Sequence, residues 1–238
     1  MKNNKPNTNV SFPSPWGKAR LGLKVCGMKY EENILELTQL QPNYMGFIFY
    51  EKSPRFMNKN IPDIHSSIKK TGVFVNAELD FIQQKVEGFN LQAVQLHGEE
   101  TVEYCKELTE KLQRPFDSAQ GDNRNNKIEI IKAFSIQDQF NFQELEKYLP
   151  VVDYFLFDTK GKNPGGNGFT FDWQVLKNYP FQKPFFLSGG IGLEEVEKIK
   201  AFQEFNLPLY ALDVNSKFET QPGKKNIDDL KNFKTQLL

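Results

Sequence analysis

Three residues able to move protons stand at the ends of apolar runs in this sequence. Cys26 closes LGLKVC, His97 follows LQAVQL, and Asp158 closes VVDYFLFD ahead of the glycine-rich GKNPGGNG. Apolar runs of this length, bounded by turn residues, read as strands buried on both faces, the kind found in parallel sheets. The C-terminal tip of such a strand is where barrel and open α/β enzymes carry their chemistry. Each residue has a plainer reading on its own. Asp158 could bond its own turn, Cys26 could be a small buried hydrophobe, and His97 could be a hydrogen-bonded loop residue. Their shared position at strand tips sets them apart. A thiolate at Cys26 can take a proton where positive charge lowers its pKa. A carboxylic acid at Asp158 can give one, and His97 is the default acid–base type. Cys105, between Val102 and Leu108 on a helical pattern, reads as a buried structural thiol, and His65 falls on an expected surface helix.

Two further strand ends carry anion-binding chemistry. One run ends in Ser188-Gly189-Gly190-Ile191-Gly192, where the missing Cβ lets backbone N–H groups approach a ligand. The other ends in Asp213, followed by Asn215 and Ser216 as side-chain donors. In (β/α)₈ barrels the loops after the seventh and eighth strands often hold a phosphate in this way. Arg55, in EKSPRF, could fork onto a carboxylate. No His/Cys/Asp spacing resembles a metal site, and no G-x-S-x-G elbow or Walker loop is present. The expectation is a phosphorylated small-molecule ligand and no metal.

The elements that must position these residues alternate regularly. Strands are expected over 21–26, 44–50, 71–76, 91–98, 127–134, 151–160, 184–189 and 208–214. Helical spacing is expected over 31–40, 61–70, 78–87, 99–112, 138–148, 171–177, 193–205 and 228–237. Eight such units joined by right-handed crossovers predict a parallel sheet closed into a (β/α)₈ TIM barrel over 21–238. A doubly wound open sheet is the alternative, but it would place its phosphate glycines after the first strand. Residues 1–20 are polar and rich in Asn and Pro, and read as a disordered tail. Residues 114–127 have no periodicity and read as an exposed insertion.

Composition narrows the function classes. In 238 residues, Lys plus Arg equal Asp plus Glu at 30 each, so net charge gives no argument for nucleic acid or an anionic membrane. No run approaches the ~18 apolar residues of a membrane span. The N-terminal stretch lacks the apolar core of a secretory signal. Two cysteines in a chain of this size suggest a reducing compartment. A cytoplasmic protein acting as a monomer or homodimer is expected.

Taken together, the motifs resemble those of phosphoribosylanthranilate isomerase, a (β/α)₈ enzyme of tryptophan biosynthesis. They stand in order as KVCGMK, GFIFYEKSPRF, GVFVN, VQLHGEE, FDTKGKNPGGNGFTFDW, LSGGI, LDVNSKFE and PGKKN. The resemblance implies conversion of N-(5-phosphoribosyl)anthranilate to 1-(2-carboxyphenylamino)-1-deoxyribulose 5-phosphate by an Amadori rearrangement without a cofactor. It implies Cys26 as general base, Asp158 as general acid and Arg55 as the partner of the anthranilate carboxylate. It also implies Gly189, Gly190 and Ser216 at the phosphate, and Asp213 as an active-site carboxylate. One departure is local: the family often has Ser-Ser-Gly where this chain has Asn215-Ser216-Lys217. The competing functions are another phosphosugar isomerase, an indole synthase of lyase type, and a catalytically silent phosphosugar-binding barrel.

Strand geometry adds an expectation of its own. Side chains two apart share a face, so Lys24 points the same way as Cys26. In a closed barrel the eighth strand lies beside the first, so Lys24 is expected to pair with Asp213 beneath the site and to favour the Cys26 thiolate, the alternative being that it faces the helices and snorkels to solvent.

Overall fold

The computed structural model describes residues 21–113, 127–137, 139–159 and 172–237. The tail expected over 1–20, the insertion expected over 114–127 (all but Lys127) and the glycine-rich 160–171 lie outside the described residues.

The apolar runs form eight parallel strands: β1 (Gly22–Val25), β2 (Tyr44–Ile48), β3 (Lys69–Phe74), β4 (Ala93–Leu96), β5 (Glu129–Ile136), β6 (Tyr154–Thr159), β7 (Phe185–Leu187) and β8 (Leu209–Val214). They pair in chain order, and β8 pairs back onto β1, so the sheet closes as a barrel with no free edge. Helices α1 (Glu31–Thr38), α2 (Leu79–Phe89), α3 (Val102–Gln113), α4 (Val196–Gln203) and α5 (Ile227–Leu237) lie outside it.

Alternation along each strand then sorts the side chains. On β1, Leu23 and Val25 enter the layer between sheet and helices, and on β6 Phe155 and Phe157 do the same. Burial of each such aromatic ring stabilises the fold by about 1.5–3 kcal/mol. Their neighbours face the interior, where Tyr44, Ala93, Ile131, Leu156, Phe186 and Ala211 form a separate inner cluster. At the N-terminal end of the barrel Tyr44 packs edge-on against Phe186 with centroids 5.2 Å apart. Its hydroxyl donates to Glu129 Oε2 at 2.9 Å, and Lys69 reaches the same carboxylate at 2.5 Å. That floor leaves the C-terminal end for chemistry.

The expected helix over 61–70 does not form. Pro62 lacks an N–H and biases Ile61 towards extended backbone, and Lys69 and Lys70 are instead taken into β3, paired with Tyr44 and Met45 of β2. His65 sits exposed in this irregular stretch, bonded to Ser67 Oγ at 2.8 Å, and not on a helix. The helices expected over 138–148 and 171–177 are short 3₁₀ segments, Phe142–Tyr148 and Trp173–Asn178. After β8 the chain makes an unforeseen hairpin, β9 (Glu219–Gln221) and β10 (Lys224–Lys225), turned at Pro222-Gly223.

Candidate active site

The inner face of β1 carries Lys24 and Cys26, and β8 brings Asp213 alongside, in register with Lys24. The Lys24 ammonium donates to Asp213 Oδ1 at 2.8 Å, both side chains shut from water, so the expected pair is present beneath the cleft. Burial weakens the hold of Lys24 on its proton, but Asp213 and Cys26 more than restore it and its pKa lies above the ordinary lysine value. Burial likewise raises the Asp213 carboxyl, against the pull of Lys24. With the ammonium held this way, the proton of the pair rests on lysine. Lys24 acts on Cys26 in the expected direction, yet it does not prevail. Lys24 and Lys225 do pull the thiol down, but burial outweighs them and its pKa is raised.

On the opposite side, β6 presents Asp158, 6% exposed. Its Oδ1 accepts the N–H of Thr159 at 2.9 Å, so it does bond its own turn, while Oδ2 stands 3.3 Å from His97 Nε2. His97 leaves the end of β4, and its Nδ1 is 2.8 Å from the Gln95 amide. When that amide donates, the imidazole carries its proton on Nε2, facing Asp158. Gln95 Oε1 is buried without a hydrogen-bond partner among the described residues. The loop after His97 is clamped by Glu100, which accepts from Asn76 N–H and Gly98 N–H at 2.9 Å each and meets buried Lys132 at 3.1 Å. Gln95 and Lys132 could have been noticed as polar residues inside apolar runs. Glu100 falls within the helix expected over 99–112, which starts only at Val102.

The loop after β7 needs its glycine. Gly189 has φ +91, and a Cβ there would lie 2.2 Å from Thr159 Oγ1 and 2.7 Å from the backbone nitrogen of Thr159. Neither left-handed backbone nor that contact suits a side chain. Gly190 also has positive φ. In the loop after β8, the side-chain oxygen of Asn215 accepts from Lys225 Nζ at 2.6 Å, which fixes the amide and leaves its nitrogen as the expected donor.

Arg55 is fixed by a carboxylate of this chain. Its Nε and Nη2 donate to Glu219 at 2.9 and 2.7 Å. Glu219 and Lys225 stand in the motifs LDVNSKFE and PGKKN, but sequence reasoning assigned them no role because their hairpin carries no periodic signal.

One cleft at the C-terminal end of the barrel gathers Cys26, Arg55, His97, Asp158, Gly189, Gly190, Asp213, Asn215 and Ser216, with a volume of about 730 Å³ open to solvent. Lys24 alone of the candidates lies below it. Ile48, Tyr50, Val73 and Val75 line the cleft with Arg55, and Ser188, Ile191 and Lys217 line it with the glycine loop. Apolar wall, cation, acid–base groups and a glycine loop together suit a ring-bearing phosphorylated molecule. Among the described residues, no three His, Cys, Asp or Glu side chains converge as a metal site requires.

Residues 23–236 match the family model described as N-(5'phosphoribosyl)anthranilate (PRA) isomerase. The N-(5'-phosphoribosyl)anthranilate isomerase of Parabacteroides distasonis is 40% identical over 223 residues, covering 91% of this chain and 93% of its own. A solved phosphoribosyl anthranilate isomerase in complex with reduced 1-(o-carboxyphenylamino)-1-deoxyribulose 5-phosphate matches with TM-score 0.66 at 27% identity, over 91% of this chain and 98% of that one. Monomers generated from the dimeric phosphoribosylanthranilate isomerase of Thermotoga maritima match with TM-score 0.65 at 27% identity, over the same shares.

Proposed function

The chain belongs to the N-(5'-phosphoribosyl)anthranilate isomerase family, and on that premise we propose that Cys26 and Asp158 carry its acid–base chemistry. The enzyme converts N-(5-phosphoribosyl)anthranilate to 1-(2-carboxyphenylamino)-1-deoxyribulose 5-phosphate in tryptophan biosynthesis. One observation supports the assignment above the others: thiol and carboxyl project from the inner faces of β1 and β6 into one cleft.

The rearrangement needs one proton given and one taken. Asp158 protonates the ribose ring oxygen, the C1–O bond breaks, and the anilino nitrogen supplies the electron pair for an iminium. The neighbouring C2–H becomes acidic, and Cys26 removes it in the thiolate form that Lys24 favours against burial. The electrons form C1=C2 and return to nitrogen. The enolamine then loses its C2 hydroxyl proton and gains one at C1, giving the ketone. His97 orients the Asp158 carboxyl, and the unpartnered Gln95 Oε1 can accept from a sugar hydroxyl. Lys24 and Asp213 hold the floor. Gly189, Gly190, Ser216 and the Asn215 amide nitrogen take the phosphate, and Arg55 takes the anthranilate carboxylate beside the apolar wall.

Mixing the protein with N-(5-phosphoribosyl)anthranilate and following the change in anthranilate fluorescence tests the activity. Binding without a fluorescence change would favour a silent phosphosugar-binding barrel.

The working protein is a cytoplasmic monomer or homodimer on this reading. Two free, buried thiols suit a reducing compartment, and the Thermotoga maritima relative is described as dimeric. Among the described residues no helix is long and apolar enough to cross a membrane. Light scattering of the purified protein decides between the two assemblies.

A further inference from the structure

Arg55 stands on the loop after β2, on a long side chain whose guanidinium would sample many positions if left alone. It is held instead along one edge. Nε lies 2.9 and 3.1 Å from the two oxygens of Glu219, and Nη2 lies 2.7 Å from the second. Nη1 makes no hydrogen bond among the described residues, and Arg55 lines the cleft. Such a fork, engaged along one edge, leaves the other free for a second planar anion.

Glu219 is itself over-determined. Its side chain is 5% exposed and that of Lys225 fully buried. Oε1 accepts from Lys225 Nζ at 2.7 Å and from Gly223 N–H at 3.0 Å, and the same ammonium reaches Asn215 Oδ1 at 2.6 Å. Gly27 makes the junction possible, since a Cβ there would stand 2.7 Å from Arg55 Cδ and 2.8 Å from Asn215 Oδ1.

Charge decides what this cluster does. Arg55 and Glu219 alone would cancel, and a neutral pair has little pull on a carboxylate. Burial lowers the pKa of Lys225, but Glu219 opposes that, and with its ammonium bonded to Glu219 and Asn215 the cluster keeps one net positive charge while Arg55 stays fastened. We propose that Glu219, secured by Lys225, is a positioning residue that aims the Nη1 edge of Arg55 into the cleft, so that the β9–β10 hairpin sets selectivity for a carboxylated aryl amine. This rests on the reading of Arg55 given above.

The test compares two competitive inhibitors: reduced 1-(2-carboxyphenylamino)-1-deoxyribulose 5-phosphate and its phenylamino counterpart lacking the carboxyl group. Glu219→Gln keeps the shape of the side chain but removes the charge that fastens Arg55. It should raise the inhibition constant of the carboxylated compound about tenfold, the size of one lost charge-assisted hydrogen bond, and move the other by less than about twofold. Lys225→Gln, which leaves Glu219 in place but unfastened, should shift discrimination the same way and decides the matter if Glu219→Gln does not fold. Equal losses for both inhibitors, or tighter binding of the carboxylated one as simple charge removal would give, overturns the proposal. Arg55→Ala is the control and should abolish discrimination. If it does not, the Arg55 reading fails and this inference falls with it. If it does while both hairpin variants discriminate like the wild type, only the Glu219 inference fails.

Discussion

The Lys24 ammonium lies 2.8 Å from the Asp213 carboxylate, at paired positions of the strands that close the barrel. Removing one member of a buried pair leaves the other charge without compensation, at a cost of about 3–5 kcal/mol. Lys24→Met should therefore lower the melting temperature by roughly 10 °C. Adding Asp213→Leu should recover most of it, since apolar groups of similar volume often replace such pairs without loss. No recovery in the double variant would mean that the cost lies in packing.

The same lysine acts on Cys26. Burial raises the thiol above its ordinary range and Lys24 opposes that rise. Alkylation of Cys26 should therefore speed up only on the alkaline side of the usual thiol value of ~8.5, and Lys24→Met should move the profile higher still. An unmoved profile removes Lys24 from the electrostatics of the thiol.

Cys26→Ala and Asp158→Asn should each lower kcat by ~10²–10⁴, the range for a positioned acid or base, with the binding of the reduced product little changed. Near-normal turnover in either variant takes that residue out of the mechanism. Cys105 offers the contrast. It is buried within α3, with its thiol pushed up to about 12 by burial, so Cys105→Ala should change stability and leave turnover alone.

Gly189→Ala should weaken inhibition by inorganic phosphate roughly tenfold, because the new methyl would overlap Thr159 and the loop must move by more than its N–H groups can tolerate. Unchanged phosphate inhibition would place the anion elsewhere.

Glu219 gives a pH signature. Burial raises its carboxyl, but Arg55 and Lys225 more than reverse this and hold it below the usual value. A carboxyl whose folded pKa is depressed binds fewer protons folded than unfolded, so stability rises with pH across that interval. Its contribution is complete above the unfolded value of ~4.3 and is lost as pH falls through the lower folded value. Glu219→Gln should flatten the acid limb of melting temperature against pH, and an identical acid limb would show that the pair contributes no linkage.

Periodicity and turn chemistry in the sequence pointed to the strand order, to a closed barrel over an open sheet, and to the strand tips at which Cys26, Asp158 and His97 stand, because alternation and strand-tip position are local properties. The Lys24–Asp213 pair followed from them, given only that the last strand meets the first. Where local signals were short, tertiary structure decided. Residues 61–70 carried a helical pattern, yet Pro62 and the pairing of Lys69 with Tyr44 drew the segment into an irregular loop and a strand. The thiol of Cys26 could be given a neighbouring cation from sequence, but whether that cation or burial prevailed depended on how much water the closed barrel excludes. Glu219 and Lys225 were least legible of all. Arg55 and Glu219 are 164 positions apart, and partners that far apart are chosen by barrel closure, since neither residue's own neighbourhood specifies which distant group will complete its hydrogen bonds.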